Sequence, residues 1–207
     1  MHFRNDSNPV YPPVLVIRDY FSEVSPSVKC RILQMKGQNM DGSIQIYYGL
    51  GRGKTTAALG LGIRAAGVGK QVIMVQFLKS KHSDTLDFLK KLEPALQIFR
   101  FERSACGYED LNPEERQEQV SNIKMALGYT RKVLDTGQCD LLILDEIFGL
   151  VDYGIITVDE LKELLDVRNE SMALILTGRH LPDEFRELAD CIYCISTEKE
   201  LSPEILQ

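Results

Sequence analysis

No stretch of the 207-residue chain is a long apolar run, and the ~18 residues a membrane-crossing helix needs are nowhere approached. The longest early run, Val14-Leu15-Val16-Ile17, is also too short for a signal-peptide core. Basic residues are not in excess: 24 Lys and Arg face 30 Asp and Glu, a formal charge of −6. That balance argues against nucleic acid or an anionic membrane as the main partner, while leaving room for a local basic pocket. Paired cysteines are lacking too. The five present, Cys30, Cys106, Cys139, Cys191 and Cys194, are odd in number and scattered, which suits a reducing cytoplasm. Cys191 and Cys194 form a CxxC inside an apolar stretch, where three-residue spacing on a strand points them to opposite faces. The pair therefore reads as buried small residues and not as a metal clasp. Histidine is scarce, and neither His82 nor His180 stands in a ligand cluster. Internal repeats and low-complexity tracts are absent.

What is present is an alternation of strands and helices. Residues 1–42, with Asn8-Pro9, Pro12-Pro13 and Ser25-Pro26, hold no sustained period and read as an irregular extension. From Ile44 the pattern is regular. Ile44-Gln45-Ile46-Tyr47-Tyr48 alternates like a strand and enters a glycine loop, and an Ala- and Leu-rich helix over 54–66 stops at Gly67. Strands are predicted over 71–78, 96–101, 141–144, 172–176 and 191–195, with a short helix over 84–92. A long helix starts at Asn112-Pro113-Glu114-Glu115, a capping box with Pro at the first helical position, and ends at Gly137. Its inner face is predicted to be Val120, Ile123, Leu127, Thr130 and Leu134. Thr157 and Glu160 form a second capping box, and a last helix is expected over 182–189. Strands apolar on both faces, alternating with helices, predict an α/β fold: one domain over 43–197, a mostly parallel sheet with helices on both faces, and a short tail over 198–207.

The loop Gly49-Leu50-Gly51-Arg52-Gly53-Lys54-Thr55-Thr56 carries the chemistry. Glycines let backbone N–H groups turn toward an anion, a helix N-terminus adds partial positive charge, Lys54 adds a full one, and the Thr55 hydroxyl is a Mg²⁺ ligand by type. The common Gly-x4-Gly-Lys-Thr spacing is not met: Tyr48 stands where it wants glycine. The context nevertheless predicts a nucleoside triphosphate site of P-loop type, with ATP as ligand. Asp145 and Glu146 end an apolar strand at the edge where open α/β sheets bind ligands, and are the candidate metal carboxylates. Gln76, Lys79 and Arg179 end neighbouring strands and are expected at the same edge. Arg64, within the first helix, is either a phosphate ligand or a solvated helix charge.

These residues resemble the P-loop ATP:corrinoid adenosyltransferases. Residues 49–58 are similar to that family's GNGKGKTTAA, and Val75-Gln76-Phe77-Leu78-Lys79 to its VQFxK. Leu144-Asp145-Glu146, Asp152-Tyr153-Gly154 and Leu176-Thr177-Gly178-Arg179 match in order and spacing. The resemblance covers about residues 43–197. It implies a RecA-like sheet, a homodimer, and an unusual reaction in which a reduced corrinoid attacks C5′ of ATP and the whole triphosphate leaves. It further implies that Lys54, Arg52, Arg64, Arg179 and the loop amides hold the triphosphate, and that Thr55 and Glu146 hold Mg²⁺. Four departures accompany it. Leu50 replaces an Asn of the loop. Tyr48 replaces a small residue. No Phe-x-Trp follows the third strand, where Tyr108 is the nearest aromatic substitute, and the family's basic, glycine-containing tail has no counterpart in 197–207. A diverged ATP-binding module without adenosyl transfer, and a P-loop kinase or ATPase using Arg103 or Arg116, are the alternatives.

Overall fold

The computed structural model describes residues 41–79, 89–101 and 107–199. All but the last two residues of the expected extension over 1–42, most of the helix expected over 84–92, and most of the tail lie outside them. Six strands form one sheet: β1 (Ile44–Tyr48), β2 (Val72–Gln76), β3 (Leu96–Arg100), β4 (Leu141–Asp145), β5 (Ala173–Gly178) and β6 (Cys191–Cys194). Their order is β3-β2-β4-β5-β1-β6, and every pairing is parallel. The register pairs Gln76 with Asp145, Leu144 with Leu176 and Tyr48 with Gly178, so these C-terminal ends form one edge.

Side-chain parity then divides the core. Val72, Met74, Leu141, Ile143, Ala173 and Ile175 point to one face and pack under α1 (Lys54–Gly67). This helix can lie close because its buried positions, Ala58, Gly62 and Ala65, are small. A Cβ on Gly62 would come within 3.0 Å of Ile143 Cδ1. Ile73, Val75, Leu142, Leu144, Leu174 and Leu176 point the other way, toward α2 (Pro113–Thr136), α3 (Ile147–Asp152) and α4 (Val158–Asp166). The expected α/β architecture with helices on both faces is present.

Both predicted capping boxes form. Asn112 accepts from the Glu115 N–H at 2.9 Å, and Thr157 from the Glu160 N–H at 3.1 Å, each glutamate reaching back to the cap N–H. Four local expectations are corrected. The buried face of α2 runs through Gln119, Asn122, Ile123, Ala126, Thr130, Val133 and Leu134, leaving Val120 and Leu127 half-buried. The helix expected over 182–189 is a single 3-10 turn, Asp183–Phe185, serving to bury Phe185 against Phe148. Helix α3 carried no signal in the sequence. Among the described residues Cys194 is exposed and Cys191 only half-buried, β6 being an edge strand.

Replacing Asn112 by Ala removes a cap acceptor from α2, and unfolding in urea is expected to show a loss of about 1 kcal/mol at unchanged m-value.

Candidate functional site

The same parity brings three polar side chains together. Gln76, Asp145 and Thr177 fall on the α1 face, each at the C-terminal end of its strand, and all three are buried. Asp145 is fully enclosed. A buried carboxylate needs hydrogen-bond donors to remain charged, and three surround it. Thr55 Oγ1 donates to Oδ1 and Oδ2 at 3.0 and 3.1 Å, Thr177 Oγ1 to Oδ1 at 2.8 Å, and Gln76 Nε2 to Oδ2 at 3.0 Å. The Lys79 ammonium stands 3.9 Å from Oδ2. Arg100 Nη2 extends the network by donating to Gln76 Oε1 at 2.6 Å. The carboxylate thus ties the first turn of α1 to the ends of β2, β4 and β5.

The glycine loop is bound by the residues that directly follow β5 and β6. Gly49 N–H donates to the Arg179 carbonyl at 3.0 Å, and Gly51 N–H to the Ile195 carbonyl at 3.0 Å. A Cβ on Gly49 would lie 2.4 Å from Ile195 O, and Gly49 has φ 116°, so glycine is required there twice over. Gly53, the N-cap of α1, has φ 109° and no side-chain cap, and the first turn carries no acid. The N–H groups of that turn remain available for an anion. Lys54 Nζ arches back over the loop to the Gly49 and Gly51 carbonyls at 2.6 and 2.9 Å. Partial burial holds its pKa below the usual 10.5. Glu146 and Asp145 oppose that shift, while Lys79 and Arg179 add to it. All four charges therefore act on one ammonium.

Beyond Asp145 the chain turns sharply. Glu146 adopts φ 61°, a left-handed conformation uncommon outside glycine, and its N–H donates to Thr177 Oγ1 at 2.8 Å. Such strain gathers at functional positions. The turn delivers Glu146 to a cavity of about 310 Å³ beside the loop. Lys79, Tyr108, Glu109, Tyr153, Arg179 and His180 share its wall. Tyr108 and Tyr153 meet at 4.9 Å between ring centroids, and the Tyr153 hydroxyl donates to Glu109 Oε1. Burial, aided by that carboxylate, pushes the Tyr153 phenol up to about 12. A second cavity, about 380 Å³, lies near Asp41, Lys70 and Asp140 at the other end of the strands, away from the loop.

The structure thus brings Gly49, Gly51, Gly53, Lys54, Thr55, Gln76, Lys79, Asp145, Glu146 and Arg179 to one edge. Thr56 sits in the first turn of α1, and Leu50 and Arg52 are on the loop's exposed rim, Leu50 being 79% exposed. Arg64 is not brought there. It is exposed in the last turn of α1, about 15 Å along the axis from Lys54 at helical rise, and its charge acts on Tyr47. Sequence reasoning gave no role to Thr177, Glu109 or Tyr153. For Thr177 a signal existed, because it shares the strand parity of Ile175 and so faces α1 beside Asp145. The Glu109–Tyr153 contact joins residues 44 apart on separate turns, and no spacing announces it.

Similarity to known proteins adds to this geometry. The family model described as ATP:corrinoid adenosyltransferase BtuR/CobO/CobP matches residues 40–203. The corrinoid adenosyltransferase of Escherichia coli (strain K12) is 31% identical over 169 residues, covering 82% of this chain and 83% of that protein. Corrinoid adenosyltransferase CobA of Salmonella typhimurium (strain LT2) is 30% identical over 170 residues, with the same coverage of 82% and 83%. Among solved structures, a DNA replication initiation factor aligns at a TM-score of 0.40 and 15% identity, over 93% of this chain and 51% of that one. That last likeness is too loose to bear on function.

Two outcomes are expected. Asp145→Asn keeps an oxygen for the two hydroxyls but sets an amide donor against the Gln76 Nε2 donor, so urea unfolding should show a loss of about 1–3 kcal/mol, and calorimetry should show weakened ATP binding. Binding of an anion raises the Lys54 pKa, so complex formation takes up a proton near that pKa. ATP affinity should therefore fall as pH rises, beginning below the usual lysine value of 10.5. In Lys54→Arg that alkaline limb should disappear.

Proposed function

Because the chain belongs to the ATP:corrinoid adenosyltransferase family, we propose that it transfers the 5′-deoxyadenosyl group of ATP to the cobalt of a reduced corrinoid and releases triphosphate. The observation that carries this is the family match over 40–203, which spans the glycine loop, the acidic end of β4 and the adjoining cavity. In the reaction the electron pair of the reduced cobalt forms a cobalt–carbon bond to C5′. The C5′–O bond breaks, and its pair departs with the triphosphate. The nucleophile belongs to the corrinoid, so the protein needs no base to create it. Its work is to align C5′, to offset charge on the leaving group and to keep water away.

The residues divide accordingly. The first-turn amides of α1, with Lys54, take the phosphates nearest the loop, and Arg52 adds charge at its rim. Arg179 and Lys79 meet phosphates extending toward the cavity. Tyr108 and Tyr153 offer the cavity an apolar wall, in the region where Tyr108 was the expected aromatic substitute. Mg²⁺ fits the donor set. The Thr55 proton is committed to Asp145, which leaves the hydroxyl oxygen's lone pairs for a hard cation, and Glu146 supplies a carboxylate close by. Asp145, with both oxygens accepting, contributes through Thr55. Bound there, the ion supplies positive charge to the triphosphate. The same reading takes residues 43–197 as the nucleotide-binding domain and extends to a homodimer in the cytoplasm. No described helix is long and apolar enough to cross a membrane.

One observation favours a second reading. His180 Nδ1 lies 3.0 Å from Asp152 Oδ2 in the cavity wall, as a general base for phosphoryl transfer would be held. Product analysis separates the two. Incubation with ATP, Mg²⁺ and cob(I)alamin should give triphosphate and adenosylcobalamin in equal amounts, whereas ADP as the nucleotide product would overturn adenosyl transfer.

A further inference from the structure

Arg179 is held at both ends. Its carbonyl accepts from Gly49 in the loop, while its guanidinium Nη1 reaches Glu109 Oε1 at 3.4 Å. That same oxygen accepts the Tyr153 hydroxyl. One exposed carboxylate therefore joins a cation of the nucleotide side to an aromatic wall of the cavity. The turn that carries Glu109, Tyr108–Asp110, is itself fixed from α2: Arg116 donates from Nη2 to the Glu109 carbonyl at 2.8 Å and from Nε to the Leu111 carbonyl at 2.9 Å. Arg116 also lies 5.7 Å from the centroid of the Tyr108 ring. The Glu109 backbone is thus anchored while its side chain bridges.

The Arg179–Glu109 pair is weak by construction. At 3.4 Å, with side chains 56% and 61% exposed, it sits in high dielectric and gains little. The Tyr153–Glu109 bond is the firmer tie, since a neutral phenol donating to a carboxylate makes a charge-assisted hydrogen bond. A polyanion in the loop would compete with Glu109 for Arg179 and leave the Tyr153 bond standing.

We propose that Glu109 is a positioning residue that holds Arg179 beside the phosphate loop and exchanges it for the phosphate chain of the nucleotide, coupling nucleotide binding to the Tyr108–Tyr153 wall. Resting on the adenosyl-transfer reading only for the identity of the second substrate, the coupling is reciprocal: whatever orders the wall alters nucleotide affinity by the same factor that nucleotide alters its own.

The test is calorimetry with Mg²⁺ and the β,γ-imido analogue of ATP on the full chain, for wild type, Glu109→Gln, Arg179→Ala and the double variant, with melting temperature measured for each. Glu109→Gln removes the competing charge and retains the shape. It should tighten analogue binding about two- to five-fold, the range an exposed ion pair spans. In the Arg179→Ala background the same change should do nothing. No tightening in Glu109→Gln, or equal tightening with and without Arg179, would overturn the proposal, the latter showing a general charge effect. A second arm follows turnover with cob(I)alamin. Glu109→Ala, which takes the acceptor away from the Tyr153 hydroxyl as well, should raise the KM for corrinoid at little change in kcat, and an unchanged KM would sink the coupling. If the wild type makes no adenosylcobalamin, the function above fails, and the calorimetric arm still decides the role of Glu109.

Discussion

A single enclosed carboxylate organises this edge of the sheet. Asp145 sits where β4 ends, between β2 and β5, and nothing apolar can occupy the space around it without leaving a charge unpaired, which costs several kcal/mol. Each neighbour is therefore a donor: Thr55 from α1, Gln76 from β2 and Thr177 from β5. The directions of these bonds follow from one another. The Glu146 N–H donates to the Thr177 oxygen, so the Thr177 proton goes to Asp145. With Asp145 acceptor-only, Thr55 must donate to it as well. The Thr55 proton is thereby committed, which suits its oxygen to the metal-ligand role proposed above.

The chain leaves the sheet directly after Asp145, and Glu146 makes that exit through a left-handed turn that costs on the order of 1–3 kcal/mol. Close packing makes the turn tenable. A Cβ on Gly178 would lie 2.5 Å from Phe148 Cβ, and one on Gly149 would lie 2.6 Å from Leu78 Cδ1. The first turn of α3 therefore rests directly on the ends of β5 and β2. Phe148, fully buried, stacks edge-on to Phe185 and fixes that seating from the other side.

What the sequence announced was whatever local chemistry controls. Asn112 and Thr157 mark helix starts because a cap and its glutamate partner lie three residues apart. The glycine loop was visible because φ 116° at Gly49 and 109° at Gly53 admit little besides glycine. Helix α3 was not visible, since it begins at a strained glutamate with no capping side chain and is held by contacts with distant strands. The segment after Pro182 has helical composition, yet burying Phe185 against Phe148 takes only one turn. Cys191 and Cys194 looked like core because their neighbours are apolar, but their strand is an edge, and strand order is a tertiary property. For Arg64 the sequence left phosphate and solvent open, and the residue is exposed in the last turn of α1.

A chain of net charge −6 still gathers cations at this edge, and three of them are held by nearby acceptors of graded strength. Lys54 is bound to two loop carbonyls at 2.6 and 2.9 Å, Lys79 stands 3.9 Å from Asp145, and Arg179 reaches Glu109 at 3.4 Å from an exposed position. These attachments differ in what it takes to break them. The first is short and partly buried, the other two long. A lone phosphate at the helix N-terminus meets the amides and must compete with carbonyls for Lys54. On the proposed reading, a phosphate chain running toward the cavity would meet Lys79 and Arg179 as well, and the two differ: Lys79 faces an enclosed carboxylate, whereas Arg179 is held only by an exposed one and is drawn away at little cost. Arg179 is therefore the cation most easily recruited to the charge that grows on a departing triphosphate.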